Sequence, residues 1–422
     1  MLGGWALVSN VIVLTAETTD VLQRLTLFVA AEQGEQAATT LDHHVKRPRY
    51  QPGFTCGLEQ DGALIGYVLL RHVRWRFGAA ILDVGMIEAL YLDTTHHSQH
   101  LLETLLYELF RVCYDNAFAL VGLQGHHASF TPFGFAPYRF QVLTQIAVDE
   151  RPELQSTHRL QSYSTDRMDE CAALYEANYR TSALTDLRVA ADWRMWGDTT
   201  PHIHILEDAQ GRTLAYAVQH QGMPSNELRI VEAAAADVGV ASSLIDHLQR
   251  YAYANNATHI GLALPSYHPV IQAMLQCGGT SHIRTQTTRD NLTNGLVDLA
   301  GVIDLPMILS ALQPDLERRL ASSHYATWSG SIQFVLARQQ ITLTIANGHT
   351  VVEEGLAPAQ IWVHIHSLET AAQLLLGYRT SADLRAHGTL QCTDTALGLL
   401  DILFPTIMSY GLPADWLINQ NR

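Results

Sequence analysis

Ile87-Glu-Ala-Leu-Tyr-Leu-Asp-Thr-Thr-His-His-Ser-Gln-His-Leu-Leu-Glu-Thr-Leu-Leu106 is the stretch on which the fold turns. A strand over Met86–Leu92 enters a short loop, and from Leu101 to Tyr114 apolar residues recur at helical spacing. Strand, loop and helix in that order bring the free N–H groups of a helix N-terminus to the end of a strand. That arrangement suits a pyrophosphate.

Upstream, Phe54–Glu59 and Leu64–Val73 flank Asp61-Gly62, the strongest short hairpin signal. Val11–Leu14 reads as a strand, Thr18–Gln33 as a helix, and the His-, Arg- and Pro-bearing Leu41–Pro52 as a loop. Downstream, Leu120–Leu123 is a short buried strand, and Phe133-Gly134-Phe135 opens onto a strand over Phe140–Val148. The same layout then returns. Met168–Tyr179 is helical, Ile203–Glu207 and Thr213–Gln219 form a hairpin, Leu228–Ala233 is a strand and Ser242–Asn255 a helix. Ile260–Ala263 and Val270–Gln276 close this second unit, so the two halves form a distant internal repeat. From about Ala300 the pattern changes to a helix at Pro306–Leu312, strands at Ser331–Leu336, Gln340–Ile345 and Ile361–Ile365, and apolar helices at Leu368–Leu376 and Thr395–Leu403. The expected domains are residues 11–150, 158–298 and 300–422.

Composition narrows the function. Lys+Arg 26 against Asp+Glu 41 gives a net charge of −15, which argues against binding nucleic-acid phosphates. The five cysteines are scattered without a CxxC, the pattern of reduced thiols. No apolar run is long enough to span a membrane, and the first ten residues lack the basic start of a signal peptide. A cytoplasmic protein is expected.

With the hairpin before it and Phe133-Gly134-Phe135 after it, the segment Ile87–Leu106 resembles the acetyl-CoA-binding core of the GNAT N-acetyltransferases. Two such units, followed by Val302-Ile-Asp-Leu-Pro306, Leu374-Leu-Leu-Gly-Tyr-Arg379, Leu403-Phe-Pro405 and Asp415-Trp416 in order, are similar to the enhanced-intracellular-survival (Eis-like) family over roughly residues 11–417. The resemblance implies an α/β fold: tandem GNAT-like (acyl-CoA N-acyltransferase) domains, the second structural, followed by an α+β sterol-carrier-like domain. It implies acetyl-CoA as substrate, a small-molecule amine as acceptor, assembly into trimers or hexamers, and no resident metal. Leu90, Tyr91, Leu92, His97, Ser98, Gln99, His100, Leu101 and Leu102 would then meet the cofactor.

Key positions depart from that family's pattern. His97, His100 and Leu102 stand where its loop has Arg/Gln, Gly and Gly/Ala, and Thr94 replaces a Pro. Phe130 takes the place of its tyrosine general acid and has no hydroxyl to give a proton. Five residues, Ile418–Arg422, follow Leu417 and displace the terminal carboxylate that serves the family as base. Two functions follow: an amine N-acetyltransferase with altered cofactor loop and catalytic positions, or a catalytically inactive GNAT-fold binding protein whose cleft is refilled by His and apolar side chains.

Other residues carry alternatives. Glu88 could act as a base through water or be a polar residue on a strand face, and Tyr138 could replace the missing acid or be half-buried packing. His96, His97, His100, His126 and His127 could converge on the cleft and hold a metal or an anion; loop histidines facing solvent are the ordinary reading. Trp193 and Trp196 could line a pocket for a cationic amine or pack in a core.

Overall fold

The computed structural model describes residues 11–15, 19–46, 49–93, 99–125, 127–138, 141–150, 158–180, 182–199, 202–219, 226–284, 297–337 and 339–407. From the N-terminus come β1 (Val11–Thr15), α1 (Thr19–Gln33), α2 (Glu35–Val45), β2 (Thr55–Gln60), β3 (Ala63–Phe77), β4 (Ala80–Leu92), α3 (Gln99–Asp115), β5 (Leu120–Gly125), α4 (His127–Phe130) and β6 (Phe135–Pro137). Next are β7 (Gln141–Ala147), β8 (Arg159–Ser162), α5 (Met168–Tyr179), β9 (Thr185–Asp186), α6 (Ala190–Thr199), β10 (Ile203–Glu207), β11 (Thr213–Gln219), β12 (Glu227–Ala235), α7 (Val238–Ala254), β13 (His259–Leu262), α8 (Pro269–Gln276) and β14 (Thr280–Arg284). Last are β15 (Val297–Val302), α9 (Leu305–Ala321), β16 (Gly330–Leu336), β17 (Gln339–Ala346), β18 (His349–Glu354), β19 (Ile361–Ile365), α10 (Leu368–Leu375), α11 (Ser381–Ala386), β20 (Leu390–Cys392) and α12 (Asp394–Leu403).

Local chemistry sets the first sheet. Asp61 and Gly62 both take positive φ, 51° and 84°, as the two-residue turn between β2 and β3 requires. α3 buries Leu101, Leu105, Leu106, Leu109 and Cys113 on one stripe against that sheet. Leu41–Val45, expected in a loop, instead completes α2, because Leu41 and His44 are buried against the first unit and the helix stops ahead of Pro48.

The strands form three sheets. The first runs β1-β2-β3-β4-β5-β15-β6, with β9 also pairing β3, and the second β8-β10-β11-β12-β13-β7-β14. The third runs β18-β17-β16-β19-β20. Position by position the first two correspond, and they have traded a strand. β7 inserts antiparallel between β13 and β14, and β15 returns to insert antiparallel between β5 and β6. The sheets therefore do not divide at residues 150–158: the β-branched and apolar residues of Gln141–Ala147 mark a strand without naming its partners.

The third domain is not separate from the first unit. Trp75, Tyr138, Leu305, Leu309, Phe334 and Phe404 belong to one continuous buried cluster, with α9 laid between the first and third sheets. The backbone N–H of Ala79, at the β3–β4 turn, donates to the buried Asp315 of α9 at 3.0 Å.

Candidate functional site

Each of the first two units has a split in its sheet. β4 and β5 run parallel and pair only through Val84–Met86 and Leu120–Gly122, after which the strands separate. β12 and β13 pair through Glu227–Ile230 and His259–Leu262 and separate likewise. A bulge sits at each split. The β3–β4 register passes from Leu70↔Ile87 to Leu69↔Ala89, leaving Glu88 extra, and the β11–β12 register passes from Gln219↔Ile230 to Val218↔Glu232, leaving Val231 extra. One inserted residue bends the strand away from its neighbour.

What the bent strands offer differs between the units. In the first, the N–H of Asp93 donates to Ile65 O at 2.8 Å, so Tyr91 and Asp93 aim their backbone groups at β3. Leu90 and Leu92, at alternate positions, aim theirs into the cleft, where no described residue bonds them. In the second unit the equivalent edge is filled. Asn178 Nδ2 donates to Ala235 O at 3.0 Å and Asn178 Oδ1 accepts from Ala235 N at 3.4 Å, while Tyr179 Oη donates to Ala233 O. Asp237 caps α7, accepting from Val240 N at 2.8 Å, so the helix terminus facing that cleft already has an anion. The first cleft is open along its backbone; the second is closed.

Several side chains suggested by the sequence meet at the first cleft. Leu90, Leu102 and Phe130 are half-buried and pack on the same cluster as Leu92, Leu101 and Leu105. Phe130 lies edge-on to Phe135, with centroids 5.7 Å apart. Leu102 thus rests against the edge of that cluster and stays partly exposed. His100 is turned along the helix surface, Nδ1 3.9 Å from Glu103 Oε2. Tyr91 lies on the other face of the strand, with its ring near Phe28 and Tyr67 and its hydroxyl donating to Glu32 at 3.1 Å.

The catalytic candidates separate. Glu88 is 6% exposed and bonded to Arg71, whose Nη1 also lies 3.8 Å from Asp186 of β9, so a cation occupies this carboxylate. Tyr138, suggested as a substitute acid, is fully buried on Trp75 with centroids 5.3 Å apart. It belongs to the cluster shared with the third domain, across the sheet from Phe130, and cannot reach the cleft.

His96, His97, Ser98 and His126 lie outside the described residues, as do the side chains of Gln99, His127 and Trp196 and the chain beyond Ile407. Among the described residues no His/Cys/Asp/Glu group could hold a metal. All five cysteines are free, and burial pushes the thiols of Cys56 and Cys171 up to about 12, which makes them poor nucleophiles.

Trp193 is buried in the second unit, beside Tyr175. The cation over these rings is internal: the Arg188 guanidinium lies 4.5 Å from the Tyr175 centroid and 4.7 Å from that of Trp193. Sequence reasoning missed Arg188, because nothing in its neighbourhood marks it as buried.

No protein-family profile and no curated protein matches this chain. Solved structures do. A GCN5-related N-acetyltransferase from Anabaena variabilis superposes with a TM-score of 0.70 at 12% identity, covering 95% of this chain and 99% of the other. One from Kribbella flavida gives 0.69 at 13%, covering 96% and 98%. Eis1 from Mycobacterium abscessus gives 0.62 at 13%, covering 95% and 99%.

Proposed function

We propose that this chain, which has the fold of the GCN5-related N-acetyltransferases over nearly its whole length, is an acyl-CoA-dependent N-acyltransferase that transfers an acetyl group to a small-molecule amine. The observation that carries the reading is the open edge at Leu90 and Leu92, set against its filled counterpart at Ala233 and Ala235. A pantetheine arm is a chain of two amides, and it pairs with a free strand edge as an added strand would. The amides at the start of α3 supply a place for the pyrophosphate.

The chemistry required is modest. A neutral amine attacks the thioester carbonyl, the tetrahedral adduct collapses, and the C–S bond breaks to release thiolate. The cleft-facing N–H of Leu90, nearer the split, is the donor for the carbonyl oxygen as charge develops on it, which leaves the edge at Leu92 to the pantetheine amides. Phe130 offers no proton, and Glu88 is held by Arg71, so the amine's proton passes to solvent and the thiolate is protonated from solvent.

A second reading, a binding protein without catalysis, is favoured by those same two residues. Calorimetric titration of acetyl-CoA into the full chain separates the two. Saturable binding at micromolar concentration supports the first reading, and an amine screen for released thiol follows. No heat at millimolar acetyl-CoA would leave the second. Assembly into trimers or hexamers, a sterol-carrier-like third domain and a cytoplasmic location remain proposals from the resemblance.

A further inference from the structure

A cavity of 260 Å³ opens in the second unit between α5, α6 and the segment that follows β9. Tyr175, Trp193, Met168, Leu187 and Ala172 make its apolar walls, Arg188 part of its floor, and Asp169 and Glu176 its mouth. The Arg188 side chain is only 2% exposed and sits in the corner of two rings that stand at 81° to each other.

Charge bookkeeping selects the occupant. Arg188 is neutralised from behind, Nη1 and Nη2 bonding Glu232 Oε1 and Oε2 at 2.9 and 2.6 Å. An anion would have to displace that carboxylate. Glu176 is matched by Arg76 across the unit boundary at 2.8 Å. Asp169, in the first turn of α5, is exposed and has no hydrogen-bond or ion-pair partner among the described residues. The site therefore combines an apolar, aromatic interior with one carboxylate at the entrance, on that first turn, that has no ion-pair partner among the described residues. A dry cavity of about 150 Å³ holds a benzene ring, so this one has room for a ring with a short tail.

We infer that this cavity is a binding site for a small primary ammonium ion with an aromatic or branched apolar body, its ring lodged by Trp193 and Tyr175 and its charge beside Asp169. The site stands apart from the acyl-transfer cleft and does not depend on that reading. Its wall begins at Leu187, directly after Asp186, which reaches Arg71 and through it Glu88 of the first cleft. A ligand here would bear on the segment that joins the two units.

The test is titration of 2-phenylethylammonium chloride into the full chain without acetyl-CoA, followed by tryptophan fluorescence and saturation-transfer NMR. Saturable binding is expected, weakened about fivefold to tenfold by Asp169→Asn and by replacing the probe with uncharged 2-phenylethanol. Ala172→Leu, which fills the cavity from a helix position that favours leucine, should abolish it. Absence of saturation at about 20 mM overturns the proposal. So does binding that neither variant alters, since the probe would then lie elsewhere. Should Ala172→Leu fail to fold, the Asp169→Asn comparison alone decides.

Discussion

Arg188 and Glu232 form a two-pronged ion pair in the interior of the second unit, where their side chains are 2% and 0% exposed. Tyr216 adds a third contact, its hydroxyl donating to Glu232 Oε1 at 2.6 Å. Glu232→Gln strands a buried guanidinium, and the expected loss is about 3–5 kcal/mol. Arg188→Met with Glu232→Leu removes both charges and should recover most of it. Urea denaturation of the three proteins measures the difference; equal losses in single and double variants would mean the pair is not what holds this core.

Proline distinguishes the two directions of backbone on β4. At Leu90 it removes an N–H that points into the cleft, so acetyl-CoA affinity should fall about tenfold with a small change in melting temperature. At Tyr91 it removes an N–H that points at β3, and the melting temperature should drop by several degrees. Calorimetry and thermal melts on both variants check this, and unchanged affinity in Leu90→Pro would remove the edge from the binding account.

His100 and Leu102 look obstructive in sequence because both stand where glycine or alanine is expected. The structure rests the half-buried Leu102 against the apolar cluster and turns His100 towards Glu103. The double variant His100→Gly, Leu102→Ala should therefore lose about 2–4 kcal/mol of stability and gain no more than about threefold in acetyl-CoA affinity. A tenfold gain on titration would show that these side chains block the cleft after all.

Burial holds His268 down to about 3, against 6.5 for a free histidine. Between those values the unfolded chain takes up a proton that the folded one refuses. Stability present above pH 6.5 is thus lost as the pH falls towards 3, and about 2 kcal/mol should be gone by pH 5. His268 also caps α8, accepting from Val270 N at 3.3 Å, so Asn is the replacement that keeps a cap without the titration. Urea midpoints at pH 7 and pH 5 should converge in His268→Asn and differ in the native chain.

Periodicity and turn chemistry carried most of the elements. Asp61-Gly62 placed a hairpin because two positive φ angles in succession demand such residues. Met168–Tyr179, Ile203–Glu207 and Thr213–Gln219 coincide with α5, β10 and β11. Partnership was illegible: the pattern in Gln141–Ala147 is satisfied equally well in either sheet. The bulge at Glu88 was illegible too, since it depends on pairing register. At the cleft, residue types located the strand and helix, but only hydrogen-bond geometry distinguished the open edge at Leu90 from the closed one at Ala233. Arg188 and Asn178 act through distant partners, and no local spacing announces them.

The traded strands also set a schedule on the ribosome. Until β15 has been synthesised, β5 and β6 have an empty slot between them, with backbone groups of both strands exposed. At about 5–20 residues per second, translation from Pro137 to Val297 takes about ten to thirty seconds. Throughout that interval the first sheet is a nascent, unsealed template, and a second unfinished chain on the same message could supply the missing strand in place of the chain's own.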